Sequence, residues 1–128
     1  MKPVELLLVQ DKVGDILLMH EALTRESSPI SVRVAGSGKQ AIQALAERDF
    51  RPDFVIFDLK LPKRSAFSLL KKHHPSVPVV VFTSSNRLDR NKAIQLGAEE
   101  IVRKPSGLTE YCRTISRIIR KWGNRTDG

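Results

Sequence analysis

Short, almost wholly apolar runs alternate along this chain with stretches in which apolar residues recur every three or four positions. Leu6-Leu7-Leu8-Val9, Phe54-Val55-Ile56-Phe57 and Val79-Val80-Val81-Phe82 are unbroken apolar runs, the pattern of strands covered on both faces, as in a parallel sheet between helices. These three are expected as β1, β3 and β4. Val32 and Val34 alternate with Ser31 and Arg33, as in a half-exposed edge strand, β2, and Ile101-Val102 makes a short β5.

The intervening stretches have helical spacing. Ile16, Met19, His20 and Leu23 form one such series, α1, and Gly38, Ala41, Ile42 and Leu45 another, α2. Ser37 with Gln40 three residues later is a capping box, Ser65 is placed to cap a short α3 through Phe67 to Leu70, and Gly97 closes α4 as a C′ glycine. The last helix, α5, carries Leu108, Tyr111, Cys112, Ile115, Ile118, Ile119 and Trp122 on the side expected to dock on the sheet. Arg113, Arg117, Arg120 and Lys121 lie mostly on another side. The sum, βαβαβαβαβα, predicts a doubly wound α/β fold with a five-stranded parallel sheet and helices on both faces. No linker, repeat or low-complexity segment divides it, so residues 1–128 are expected to form a single domain with its core over about 4–122.

Composition narrows the class. At 128 residues and 41% apolar, the chain can bury about two-thirds of its unfolded surface without a metal or disulfide staple, and it is too short for an enzyme plus a separate effector. Its apolar runs fall far short of the ~20 residues that span a bilayer. Glu5 interrupts any export signal, and the lone Cys112 cannot form an internal disulfide; the expected location is the cytoplasm. The balance of 22 Lys+Arg against 14 Asp+Glu gives +8, which invites a nucleic-acid partner. The basic residues are dispersed, however. The densest group is Arg113, Arg117, Arg120, Lys121 and Arg125, no nucleic-acid motif accompanies it, and aromatic residues are only 5%. A solvated basic face accounts for it better.

In doubly wound folds ligands bind beyond the carboxyl ends of the strands. There the sequence places Gln10-Asp11 after β1, Asp58 at the end of β3, Thr83 at the end of β4 and Lys104-Pro105 after β5. Any one could be an ordinary polar strand end. Two carboxylates, a hydroxyl and an ammonium in this order on this topology form a site.

These residues resemble the receiver domain of two-component response regulators, the CheY-like family, over about residues 4 to 122. The matching motifs are Leu8-Val9-Gln10-Asp11, Phe57-Asp58-Leu59-Lys60-Leu61-Pro62, Val81-Phe82-Thr83-Ser84, Leu96-Gly97-Ala98 and Arg103-Lys104-Pro105. The stretch Val13-Gly14-Asp15-Ile16-Leu17-Leu18-Met19 and the ending Ile118-Ile119-Arg120-Lys121-Trp122 look more like small stand-alone receivers paired with bacterial phytochrome kinases. The resemblance implies a flavodoxin-like (βα)5 fold with strand order 2-1-3-4-5. It implies that Asp58 takes a phosphoryl group from a phosphohistidine on a sensor histidine kinase, with no enzymatic activity beyond its own phosphorylation and dephosphorylation. Mg²⁺ would be held by Asp11, Asp58 and the backbone carbonyl of Lys60, with Gln10 orienting a metal-bound water. Lys104 and Thr83 would bind phosphoryl oxygens, and the output would be a surface recognised by a downstream protein or a second copy, for which an exposed Trp122 offers slight support.

The chain departs from the family pattern in several places. Gln10 replaces the first of an acidic pair, removing one negative charge from the metal site. Ile101 stands where an aromatic residue on β5 normally turns inward on activation, and Ala66 stands where a glycine is common. Lys60, Lys63 and Arg64 add positive charge at the rim. These departures support an alternative, a receiver that works as a phosphorylation-independent interaction module. His73-His74 reads as a polar helix end rather than a metal site. Gly36-Ser37-Gly38-Lys39 superficially matches a phosphate loop, but Arg33 and Gln40 occupy positions that a Walker motif reserves for Gly and Ser/Thr.

Overall fold

The computed structural model describes residues 2–58, 68, 70–72, 74–84, 90–95 and 97–123. Five strands, β1 (Val4–Val9), β2 (Ile30–Ala35), β3 (Phe54–Phe57), β4 (Val79–Thr83) and β5 (Glu100–Arg103), form one sheet. Its order is β2-β1-β3-β4-β5 and every pairing is parallel. The flavodoxin-like order and the five strands agree with expectation. Helices α1 (Val13–Thr24), α2 (Gly38–Leu45), α4 (Arg90–Gln95) and α5 (Leu108–Trp122) alternate with them. Residues 70–72 are helical and belong to α3. The expected Ser65 cap, Phe67, Ala66, Lys60, Lys63, Arg64 and His73 lie outside the described residues.

Because a strand alternates its side chains between faces, the buried residues sort into two cores. Leu6, Leu8, Ile56, Val80 and Phe82 pack with Met19 of α1 and with Tyr111, Ile115, Ile118 and Trp122 of α5. Leu7, Val9, Val55, Phe57 and Val81 pack on the opposite face with Ala41 and Ala44 of α2, Leu70 and Ala93. The central strands β1 and β3 are apolar on both faces for this reason, while edge strand β2 leaves Val34 exposed.

The local signals hold in kind and differ in detail. Ser37 Oγ accepts the Gln40 N–H at 3.1 Å, but the Gln40 side chain reaches back to the Gly36 N–H (2.7 Å), one residue before the cap. The phosphate-loop look-alike is thus a helix cap. Gly97 has φ 112°, with Gly97 N–H donating to Ile94 O and Ala98 N–H to Ala93 O, a Schellman closure of α4. Three expected positions are corrected. His20 and Leu108 are exposed, because each sits at the margin of its helix's apolar face. Trp122 is buried rather than exposed, its indole N–H donating to Glu100 Oε1 at 2.8 Å.

Candidate functional site

The sheet hydrogen bonds themselves assemble the rim. Val9 lies opposite Phe57, and the Asp58 N–H donates to Val9 O at 2.9 Å, so the next residue of each strand, Gln10 and Asp58, emerge side by side. Gln10 N–H donates to Ala35 O at 2.9 Å. Across β4, Thr83 lies opposite Arg103, and Lys104 N–H donates to Thr83 O at 2.8 Å. Thr83 and Lys104 are thereby brought to the same end of the sheet as Asp58.

At the centre, Lys104 Nζ is 2.5 Å from Asp58 Oδ1. Asp58 is only 6% exposed, and its Oδ2 is buried with no hydrogen-bond partner among the described residues. Burial raises the Asp58 pKa from its ordinary range; Lys104 and the nearby Gln10 amide oppose that shift, and the charge of Asp15 adds to it. Lys104 is steadied from below, its Nζ lying 5.5 Å above the Phe82 ring. Phe82 in turn meets Tyr111 of α5 edge-on, centroids 5.5 Å apart. Burial, then the charges of Asp58, Asp15 and Cys112, push the Tyr111 phenol well above its ordinary pKa.

Asp11 is exposed in the turn that follows β1, while Gln10 is buried, its Oε1 accepting the N–H groups of both Asp11 and Lys12 at 2.9 Å. An unpartnered buried carboxylate oxygen is a hard donor of the kind a divalent cation takes. Asp58 supplies it; Asp11 follows in the turn after β1, and the Gln10 oxygen is committed to that turn. Among the described residues no cluster of three His, Cys, Asp or Glu side chains is present, and Lys60 lies outside them. Asp15, Phe82 and Tyr111 were missed as contributors. Asp15 was legible as an acid in the first turn of α1, whereas the Phe82–Tyr111 contact had no local signal.

The sequence model described as the response regulator receiver domain matches residues 6–116. The chain belongs to this family. Receivers are signalling modules controlled by phosphorylation, whose chemistry is confined to their own modification. This receiver is 31% identical over 118 residues to the luminescence regulatory protein LuxO of Vibrio campbellii, covering 89% of this chain and 25% of that protein; it spans about a quarter of the length of that relative. Among solved structures it is similar to the phosphorylated cyanobacterial phytochrome response regulator RcpA, at 26% identity and TM-score 0.81 over 94% of both chains. It is also similar to the Mn²⁺-bound response regulator Rcp1, at 26% identity and TM-score 0.77 over 96% of both. The likeness to receivers of phytochrome systems agrees with expectation. No helix among the described residues is long and apolar enough to cross a membrane.

The basic face of α5 is partly neutralised within the receiver. Arg117 and Lys121 pair with Glu100 at 3.0 and 3.4 Å, and Arg113 pairs with Glu110 at 2.8 Å. Cations already paired offer less to a polyanion.

Proposed function

We propose that this receiver works in the cytoplasm, that it accepts a phosphoryl group on Asp58 from the phosphohistidine of a sensor histidine kinase of phytochrome type, and that it signals through a surface recognised by a downstream protein. The observation that carries the reading is the nearly buried Asp58 carboxylate, with one oxygen against the Lys104 ammonium and the other unbonded among the described residues, at the carboxyl rim of the sheet. A carboxylate oxygen attacks phosphorus in line. The P–N bond breaks with its electron pair returning to the imidazole, and the new P–O bond makes an acyl phosphate. Lys104 neutralises charge gathering on the phosphoryl oxygens, and the Thr83 hydroxyl donates to another of them. Asp11, Asp58 and the Lys60 carbonyl would hold Mg²⁺, which when bound supplies positive charge to the phosphoryl oxygens. The phosphorylated state of RcpA and the Mn²⁺-bound state of Rcp1 support both parts.

Phosphate shifts a two-state equilibrium only through contacts that differ between the states. Thr83 supplies such a contact here. Ile101, partly buried against the core on the α2 and α4 side, has no polar tip to exchange between solvent and interior. That packing favours the second reading, an interaction module independent of phosphorylation.

Incubation with a small acyl-phosphate donor and Mg²⁺, followed by intact-mass measurement of wild type and Asp58→Asn, separates the two. One phosphoryl adduct on wild type and none on the variant is the expected result. No adduct on wild type supports the second reading, and an adduct on both proteins moves the acceptor elsewhere.

A further inference from the structure

Gln10 is 2% exposed, and a buried amide must find partners for both its acceptor and its donor ends. The acceptor end is fully used. A carbonyl oxygen has two lone pairs, and Gln10 Oε1 accepts from Asp11 N–H and from Lys12 N–H, each at 2.9 Å. These two N–H groups lead directly into α1, whose N-cap residue Lys12 makes no side-chain cap of its own. Gln10 therefore ties down the turn that enters α1. Its backbone is fixed as well, by the bond from its N–H to Ala35 O at 2.9 Å.

With the oxygen turned to the α1 entry, the remaining end of the amide is the donor. Strand register sets Gln10 beside Asp58. A glutamate here would offer the same acceptor to the turn but would bring a second negative charge beside Asp58, where that of Asp15 already acts. Gln10 brings none.

We propose that Gln10 is a positioning residue: its side-chain oxygen builds the β1–α1 turn beside Asp58 without a divalent cation and without adding charge, so the turn is assembled in the metal-free protein and the site takes Mg²⁺ more weakly than it would with a carboxylate at position 10. This rests on the proposed reading of Asp58 as the site at which Mg²⁺ is held. The dependence of stability on metal, rather than the presence of the turn, is what separates Gln10 from the acid it replaces.

The test is thermal melting of the full chain as wild type, Gln10→Glu and Gln10→Leu, in EDTA and across a Mg²⁺ titration, with calorimetric measurement of Mg²⁺ affinity. Gln10→Glu is expected to melt below wild type in EDTA, to recover more on adding Mg²⁺, and to bind the ion on the order of tenfold more tightly. Gln10→Leu, which loses the two turn bonds and gains no charge, is expected to melt lower by the same amount with and without Mg²⁺. Equal Mg²⁺ affinity and equal metal increments in wild type and Gln10→Glu would overturn the proposal, and so would wild-type stability in Gln10→Leu. Should Gln10→Leu fail to fold, the wild type and Gln10→Glu comparison decides. None of these measurements uses a phosphodonor. A missing adduct on Asp58 would sink the phosphoacceptor reading alone, and flat metal increments would sink the Gln10 proposal alone.

Discussion

Lys104 reaches Asp58 from beyond an intervening strand: its ammonium lies 2.5 Å from Asp58 Oδ1 although β4 separates β5 from β3 in the sheet. The pair is held from beneath by Phe82, over whose ring the ammonium sits. Lys104→Met keeps most of the apolar stem above Phe82 and removes the charge. The expected outcome is a phosphoryl adduct that forms on the order of a hundredfold more slowly, with a loss of stability at neutral pH because Asp58 is left buried without its counter-charge. An intact-mass time course at fixed phosphodonor concentration measures the first, and thermal melting the second. A wild-type adduct rate would exclude Lys104 from charge stabilisation.

Asp58 also carries a pH signature in the metal-free protein. Its pKa in the fold is raised, chiefly by burial, so the folded state binds the proton more tightly than the unfolded chain. The stabilising contribution is then present below the ordinary carboxylate range and is lost as pH rises through the folded value. Asp58→Asn removes the cost of a buried charge. In EDTA it is expected to melt above wild type at neutral pH, with the gap closing as the pH is taken down toward 4. A variant that melts below wild type at pH 7 would show that the Lys104 bond outweighs burial.

Glu100 has the opposite sign. Burial acts to raise its pKa, but bonds from Trp122 and Arg117, with Lys121 nearby, outweigh burial and lower it. Its contribution is present above the ordinary Glu range and is lost as pH falls through the folded value. Glu100→Gln is expected to cost about 1–2 kcal/mol near neutrality, and the cost should vanish in acid. Trp122, the single tryptophan, reports it directly through a fluorescence change on substitution at neutral pH. An unchanged spectrum would mean the indole bond is not populated in solution.

At Gly97 the backbone is left-handed, φ 112°, and an added Cβ would stand 3.0 Å from Lys71 Cε and Cγ. Lys71 has little room to give. Its ammonium is tied to Pro75 O, Val77 O and Glu99, at 3.2, 2.9 and 2.5 Å respectively. Gly97→Ala is therefore expected to destabilise the fold by about 1–3 kcal/mol, read by denaturant titration, with the Asp58 adduct still forming. A neutral substitution would show that the α4 closure relaxes freely.

Periodicity alone carried the architecture, because the physics behind it is local. A strand buried on both faces must be apolar at every position, as in Leu6 to Val9, and an edge strand needs only one apolar face, as at Ile30 and Val32. The composition of the rim was legible for the same reason. Asp58, Thr83 and Lys104 interrupt or follow apolar runs at the strand ends, where a parallel sheet must deliver them to one edge. What lay beyond the sequence were relationships that depend on which rotamer packs where. Gln10 could have turned its oxygen toward a cation or toward the α1 entry, and only the buried geometry decides for the two N–H groups. Trp122 could have ended the last helix in solvent, and only the proximity of β5 to α5 gives its indole a carboxylate. Pattern determines which face each element buries, since burial is a property of one residue and its period. Distances between side chains on separate strands are set by the sheet as a whole, and these turned a row of polar strand ends into a paired carboxylate and ammonium.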